Sequence, residues 1–452
     1  MSQRNFILLI IFLVIIVGVI FGFLYLNRNT VPTDTTSGGI NFISQFNPFA
    51  SNGTKPPNTP PPSDEPPIVY QPNPPSDTVA KLRKISSMPI AGFAVYSKER
   101  LIDVPVPPPA ESVAPVDTPI APDTKTKKTP TPTPPLTEFK PALRYVDRAN
   151  GNIYQTFADK IQEKRFSTTV IPKIYEAFFG NKGEIVIMRY LNKNGKTIET
   201  FMANLPKELL GGDTALDNEI KGVFLPENIA DLSLSADASS IFYLFPVGNN
   251  LVGTSMNLTT NQKIQVFDSA FTEWLSWWPN KKMLTLTTKP ASVIPGYMYA
   301  VDPGSKNLMT QVLGNINGLT TLASPNGKLV LFGNNNLLLS VYNIDTKTSS
   351  ALSVKTLPEK CIWGAVSDVV YCAVPKFAGG GEYPDSWYQG EISFSDQIWK
   401  IDIATGNATI LVDPTTITGE DIDGIKLALD TDENYLFFVN KKDSFLWEFN
   451  LK

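Results

Sequence analysis

From about residue 79 to the end of the chain, apolar positions come in short runs separated by polar turn formers. The stretch Gly318 to Ser350, GLTTLASPNGKLVLFGNNNLLLSVYNIDTKTSS, carries the pattern most fully. A strand through Leu322 meets a turn at Ser324-Pro325-Asn326-Gly327, and a second strand covers Leu329 to Phe332. After a polar break, Leu337 to Ile344 forms a third strand that ends at Asp345-Thr346-Lys347-Thr348. Apolar runs this short, flanked by Pro, Asn and Gly, predict strands, because an amphipathic helix needs about ten residues with a 3.6-residue period.

The unit recurs. Turns between first and second strands fall at 180–183, 235–238, 278–281, 324–327, 366–368 and 430–433, most of them 42 to 46 residues apart, and the longer intervals hold an extra loop. Turns between third and fourth strands fall at 257–260, 302–305, 345–348 and 402–405. A period in the forties with four strands per repeat predicts propeller blades. Seven blades begin near Ile90, Ile174, Ile229, Glu273, Gly318, Lys360 and Asp421. The last has only three strands of its own, while a spare strand, Val79 to Ile85, precedes the first. Placing the spare strand as the fourth of the last blade closes the ring and removes an open edge. The expected fold is all-β, a seven-bladed β-propeller over residues 79–452.

Two kinds of segment break the pattern. Phe6 to Leu26, FILLIIFLVIIVGVIFGFLYL, has no charge and no polar face, and 21 residues suit the hydrocarbon layer as a helix. Its exit, Phe23-Leu24-Tyr25-Leu26, lacks the small residues of a cleavage site and no cysteine is at hand for lipid attachment, so an uncleaved transmembrane helix is expected. Residues 1–5 would then be a cytoplasmic stub and the C-terminal domain extracytoplasmic, a single-pass arrangement in the cell membrane. Residues 27–78 hold 12 of the 38 prolines and are expected to be a disordered Pro-rich linker, a stalk. Residues 104–141 hold 12 more and are expected to be a disordered insertion between two paired strands of the first blade.

Composition narrows the chemistry. The chain has no histidine, which excludes Ser-His-Asp and Cys-His nucleophiles and the histidine-bearing zinc and iron sites. Two cysteines cannot build a four-thiolate site, so no metal and no cofactor are expected. Carboxylate catalysis remains open. The net charge of −4 is spread in mixed signs without a basic stripe, which argues against nucleic acid as a partner.

Ser324-Pro325-Asn326-Gly327-Lys328, with Tyr342-Asn343-Ile344-Asp345 and Trp399-Lys400-Ile401-Asp402, resembles the repeat of TolB-type, WD40-like propellers, also found beside the catalytic domain of prolyl oligopeptidase-type peptidases. The resemblance covers residues 79–452 in pattern only and implies a fold, not an activity. Neither TolB's separate α/β domain nor the peptidases' hydrolase domain has a counterpart here.

Several residues stand out as candidates. Lys376 to Ser395, KFAGGGEYPDSWYQGEISFS, interrupts blade six between its second and third strands. A long loop with Tyr383, Trp387 and Tyr388 either covers the body or recognises a partner, with Asp385 and Glu391 as polar contacts. Trp274, Trp277 and Trp278 open blade four; alternation puts Trp274 and Trp278 on one face and Trp277 on the other, and packing between blades is the simplest role. Asp302, Asp345 and Asp402 are expected to cap their own turns. Cys361 and Cys372 flank a hairpin with a two-residue turn at Val366-Ser367, which places them opposite each other and permits a disulfide. Together these features predict a membrane-anchored binding or scaffold module for an envelope protein or a glycan. The alternative is a carboxylate-dependent glycan-processing enzyme with its site at the propeller channel.

Overall fold

The computed structural model describes residues 81–102, 136–208, 218–305 and 309–452. The expected anchor at 6–26, the stalk at 27–78 and most of the proline-rich insertion lie outside the described residues. Among the described residues, no helix is long and apolar enough to cross a membrane. Every described residue belongs to the unit Asp77–Lys452.

That unit consists of seven four-stranded antiparallel sheets. Blades one to six each use four consecutive strands, and their first strands are Ile90–Leu101, Ile174–Gly180, Asp231–Leu234, Trp274–Asn280, Thr320–Ala323 and Cys361–Trp363. Blade seven takes Gly424–Leu429, Tyr435–Asn440 and Leu446–Asn450 and borrows Leu82–Lys84 as its outer strand. In that pairing Leu82 lies opposite Phe449, Arg83 opposite Glu448 and Lys84 opposite Trp447. The Arg83–Glu448 ion pair, at 2.8 Å, fastens the join. The described residues form a closed seven-bladed β-propeller.

Burial explains why the apolar runs are continuous in mid-blade and sparse at the rim. A second strand is packed on both faces by neighbouring blades, so Val186, Ile187 and Met188 in blade two are all fully buried. Fourth strands face solvent, and Thr348–Lys355 buries only Leu352 and Val354. An apolar cluster fills each wedge between blades. Phe242, Phe267, Trp274, Trp278 and Leu286 form the one between blades three and four, which gives Trp274 and Trp278 the packing role expected of them. Trp277, on the opposite face, is 39% exposed and donates from its indole nitrogen to the Ala323 carbonyl of blade five at 3.1 Å.

The proline-rich insertion enters and leaves through the first two strands of blade one, Ile90–Leu101 and Thr137–Asp147, which pair along their length. Its expected end at residue 141 moves back: Thr137 to Pro141 are already strand, with Pro141 opposite Ser97. The proline is tolerated because the third strand, Ile153–Phe157, pairs only from Ala142 onward, leaving Pro141 in a two-stranded ribbon.

Two of the three turn aspartates cap as expected. Asp302 accepts from Gly304 N at 2.8 Å and Asp402 from Thr405 N at 2.8 Å. Asp345 does not, because Asn343 reaches the turn first and accepts from both Asp345 N and Thr346 N at 3.0 Å. The Asp345 carboxylate instead faces Lys328 at 3.9 Å.

Candidate functional site

The blade-six loop folds down onto the body. Tyr383 and Trp387 are each 4% exposed and pack with Phe394, Leu337 and Leu357 in their own apolar cluster. Polar anchors fix the cover in place. Trp387 donates from its indole nitrogen to Asp423 Oδ2 at 2.9 Å, and Phe394 N donates to the same oxygen at 3.1 Å. Lys441 Nζ donates to the Trp387 carbonyl at 2.8 Å and lies over the indole ring. Asp385 accepts from Ser292 N of blade four at 2.5 Å, tying the loop across the face of the ring. The rest of the loop reaches solvent: Phe377 is 80% exposed, Glu391 is exposed, and Tyr388, 39% exposed, donates its hydroxyl to Glu359. Burial pushes the Glu359 carboxyl up to about 7, against the Tyr388 hydrogen bond and the Lys360 charge.

Beneath the loop lies a buried ionic group that no sequence motif announces. Lys360, Asp396 and Asp423 are all fully buried. The ammonium contacts Asp396 at 2.7 Å, the Gly424 carbonyl at 3.1 Å, and Asp423. It also faces the rings of Trp387 and Phe394, each 5.3 Å from the ring centre. Asp396 Oδ1 has no hydrogen-bond partner, and burial raises this carboxyl to about 6. This is a latch for the loop, not an accessible pocket.

A second set of polar and charged groups lies at the mouth of the ring. First strands of neighbouring blades approach one another around the axis. Five of them place a polar group within their first three residues: Glu176 in blade two, Asp231 in blade three, Ser276 in blade four, Thr320 and Thr321 in blade five, and Lys426 in blade seven. Antiparallel order puts the loop between second and third strands at this same end, so the blade-six cover borders the mouth. Glu176 is paired with Arg189, whose guanidinium also donates to the Ile229 carbonyl. Asp231 Oδ2 accepts from Ser276 N at 2.7 Å and from the Ser276 hydroxyl at 2.6 Å. Lys426 donates to the Ala91 carbonyl at 3.1 Å across the blade-seven to blade-one junction.

These groups are accessible but enclosed. Asp231 retains part of its surface and Lys426 is exposed, yet protein surrounds both closely enough to shift them. Burial raises the Asp231 carboxyl against its Ser276 hydrogen bonds, and burial lowers the Lys426 ammonium, with Glu176 opposing. Lys426 also adopts φ +52°, a left-handed backbone that non-glycine residues seldom take, inside a bulge of its strand. Among the described residues, no group of three or more Asp, Glu or Cys side chains is arranged to hold a metal ion.

No family model matches the chain, and no curated protein matches it. Solved structures do. TolB from Acinetobacter baumannii is 11% identical with a TM-score of 0.37, over 68% of this chain; the match spans 61% of TolB. An oligogalacturonate lyase from Vibrio parahaemolyticus is 10% identical with a TM-score of 0.45, over 69% of this chain and 86% of that one. An oligogalacturonate lyase in complex with manganese is 8% identical with the same TM-score. The likeness is one of fold.

Of the residues singled out from sequence, the fold brings Tyr383, Trp387 and the base of Tyr388 together under the cover and leaves Glu391 outside. Cys361 and Cys372 are directly opposite, with Cα atoms 4.1 Å apart, and are joined as a disulfide. The mouth residues were missed because each stands alone in its blade. Their signal would have been equivalent positions in successive repeats, visible only once the register is known.

Proposed function

We propose that this chain is a binding module, held outside the membrane on its proline-rich stalk, that takes its partner at the channel mouth beside the blade-six cover. The observation that carries the proposal is the set of water-accessible, partly desolvated charges of both signs, Glu176, Asp231 and Lys426, on equivalent positions of the inner strands. Charges already stripped of part of their hydration lose less on binding than fully solvated ones, and fixed partners hold them in place. The partner is an envelope protein or a glycan, both of which present polar groups to such a rim.

The test is capture from native membranes by the full-length protein. Lys426→Ala and Glu176→Gln are expected to reduce the recovered partner at least about tenfold, the scale of one charge-assisted contact. Undiminished capture by both folded variants would place recognition elsewhere. A second reading, a carboxylate enzyme acting on glycans, draws on the proximity of Glu176 to Asp231, whose carboxyl is raised in part by the Glu176 charge. It requires chain cleavage of a glycan by the wild type, lost in Asp231→Asn; binding without cleavage would sink it.

A further inference from the structure

We propose that the tip of the blade-one ribbon is a pairing edge for a second copy of this chain. The first two strands of blade one stay paired out to Leu101 opposite Thr137, whereas the third strand covers only Ala142 to Val146. Among the described residues, no strand lies beside the outer edge of Thr137–Pro141.

Hydrogen-bond parity tells which backbone groups that edge leaves open. Ile102 N donates to Leu136 O at 3.0 Å, so in this register Leu136, Glu138 and Lys140 direct their N–H and C=O inward to the paired strand. Ala158 N donates to Pro141 O at 2.9 Å on the other side, so Thr137, Phe139 and Pro141 direct theirs outward. Pro141 has no N–H and its carbonyl is taken. Thr137 and Phe139 remain, two donors and two acceptors without a backbone hydrogen bond among the described residues. Beside them Leu136 is 66% and Phe139 68% exposed.

This edge is complementary to itself. A second copy laid antiparallel, with its Phe139 opposite Thr137, bonds every open donor and acceptor on both edges. The two-fold axis then passes between the two Glu138 residues. Each Glu138 is already neutralised by Arg100 at 2.7 Å and by Lys140 at 3.2 Å, and the second copy's Lys140 becomes a diagonal neighbour. Arg100 and Lys140 of each copy offset the like-charge Glu138 pair on the axis, and an unrelated peptide would lack the symmetric match of both donors to both acceptors, so the self-complementary edge favours a second copy. The contact falls well below the roughly 1,200 Å² of a stable interface, so it forms where copies are crowded and has to be trapped.

Glu138→Cys in the full-length protein traps it. In a non-hydrogen-bonded antiparallel pair the Cα atoms stand about 4.5 Å apart, within disulfide reach. The two native cysteines are bonded to each other and buried, so the new thiol has no competitor. Mild oxidation is expected to give a covalent dimer from Glu138→Cys and none from Glu99→Cys, which sits on the inner strand of the ribbon. Adding Phe139→Pro to Glu138→Cys removes one outward donor per copy and is expected to cut the dimer about tenfold. It leaves the ribbon's own ladder intact, since residue 139 has the parity of the native Pro141. No dimer from a Glu138→Cys protein whose thiol reacts with maleimide overturns the proposal. So does a dimer indifferent to Phe139→Pro, which would mean collision or another partner surface.

Discussion

At the scale of single residues, the propeller depends on a few buried charges that its repeat pattern does not reveal. Lys360 meets Asp423 across 63 residues of sequence, and nothing in the spacing of either hints at the other. Removing the ammonium strands two buried carboxylates, so Lys360→Met is expected to destabilise the fold by about 3–5 kcal/mol. It should also expose the 376–395 loop to protease before the rest of the body unfolds, which limited proteolysis at rising denaturant would detect. Acidity acts on the same kind of group. Burial raises Asp396 to about 6 and, against the pull of Arg83, Glu448 to about 7. A carboxyl raised in the folded state holds its proton more tightly there than in the unfolded chain. The stability it contributes is therefore full below the ordinary carboxylate range near about 4 and is lost as pH climbs through 6 and 7. Asp402, lowered by its Thr405 bonds, acts only below that range and does not cancel the effect. The unfolding midpoint is expected to be roughly 2–4 °C higher at pH 5 than at pH 8, and Glu448→Gln should flatten that slope in a thermal melt.

At the scale of elements, the turns between first and second strands were legible and their chemistry was partly so. Four of them share one hydrogen bond, from the fourth turn residue back to the first: Ala238 N to Ser235 O, Gly327 N to Ser324 O, Ser367 N to Gly364 O and Glu433 N to Asp430 O. The fourth residue is left-handed in each, with φ of +54°, +71°, +64° and +53°, yet only blade five supplies glycine. Ala238 carries the Cβ strain of that conformation while its side chain is only partly buried. Ala238→Gly is expected to stabilise by about 0.5–1 kcal/mol, measured by urea unfolding, and a loss of stability would show that the strain is absorbed elsewhere. The blade-six loop was legible as an interruption but not as a cover. Tyr383 and Trp387 read the same whether they pack inward or face a partner, and what decides the matter is Asp423 and Lys441, which arrive from blade seven.

At the scale of the whole molecule, ring closure was the most legible feature, because a three-stranded last blade and a spare leading strand leave one economical arrangement. The mouth was the least legible, because it is assembled from one residue per blade. Closure makes its own prediction. Deleting residues 1–86 removes Leu82 and Ile85 from their clusters and bares the backbone edge of Leu446–Asn450. That protein is expected to aggregate, whereas a chain starting at Asp77 stays monodisperse on size exclusion. The claim that the mouth is where the partner docks is tested most directly by a photo-crosslinking amino acid at position 426 of the full-length protein in its native cells, with position 264 on the outer rim as the comparison. The account predicts a defined adduct from position 426 and none from position 264; adducts from the rim alone, or from neither site while capture persists, would contradict it.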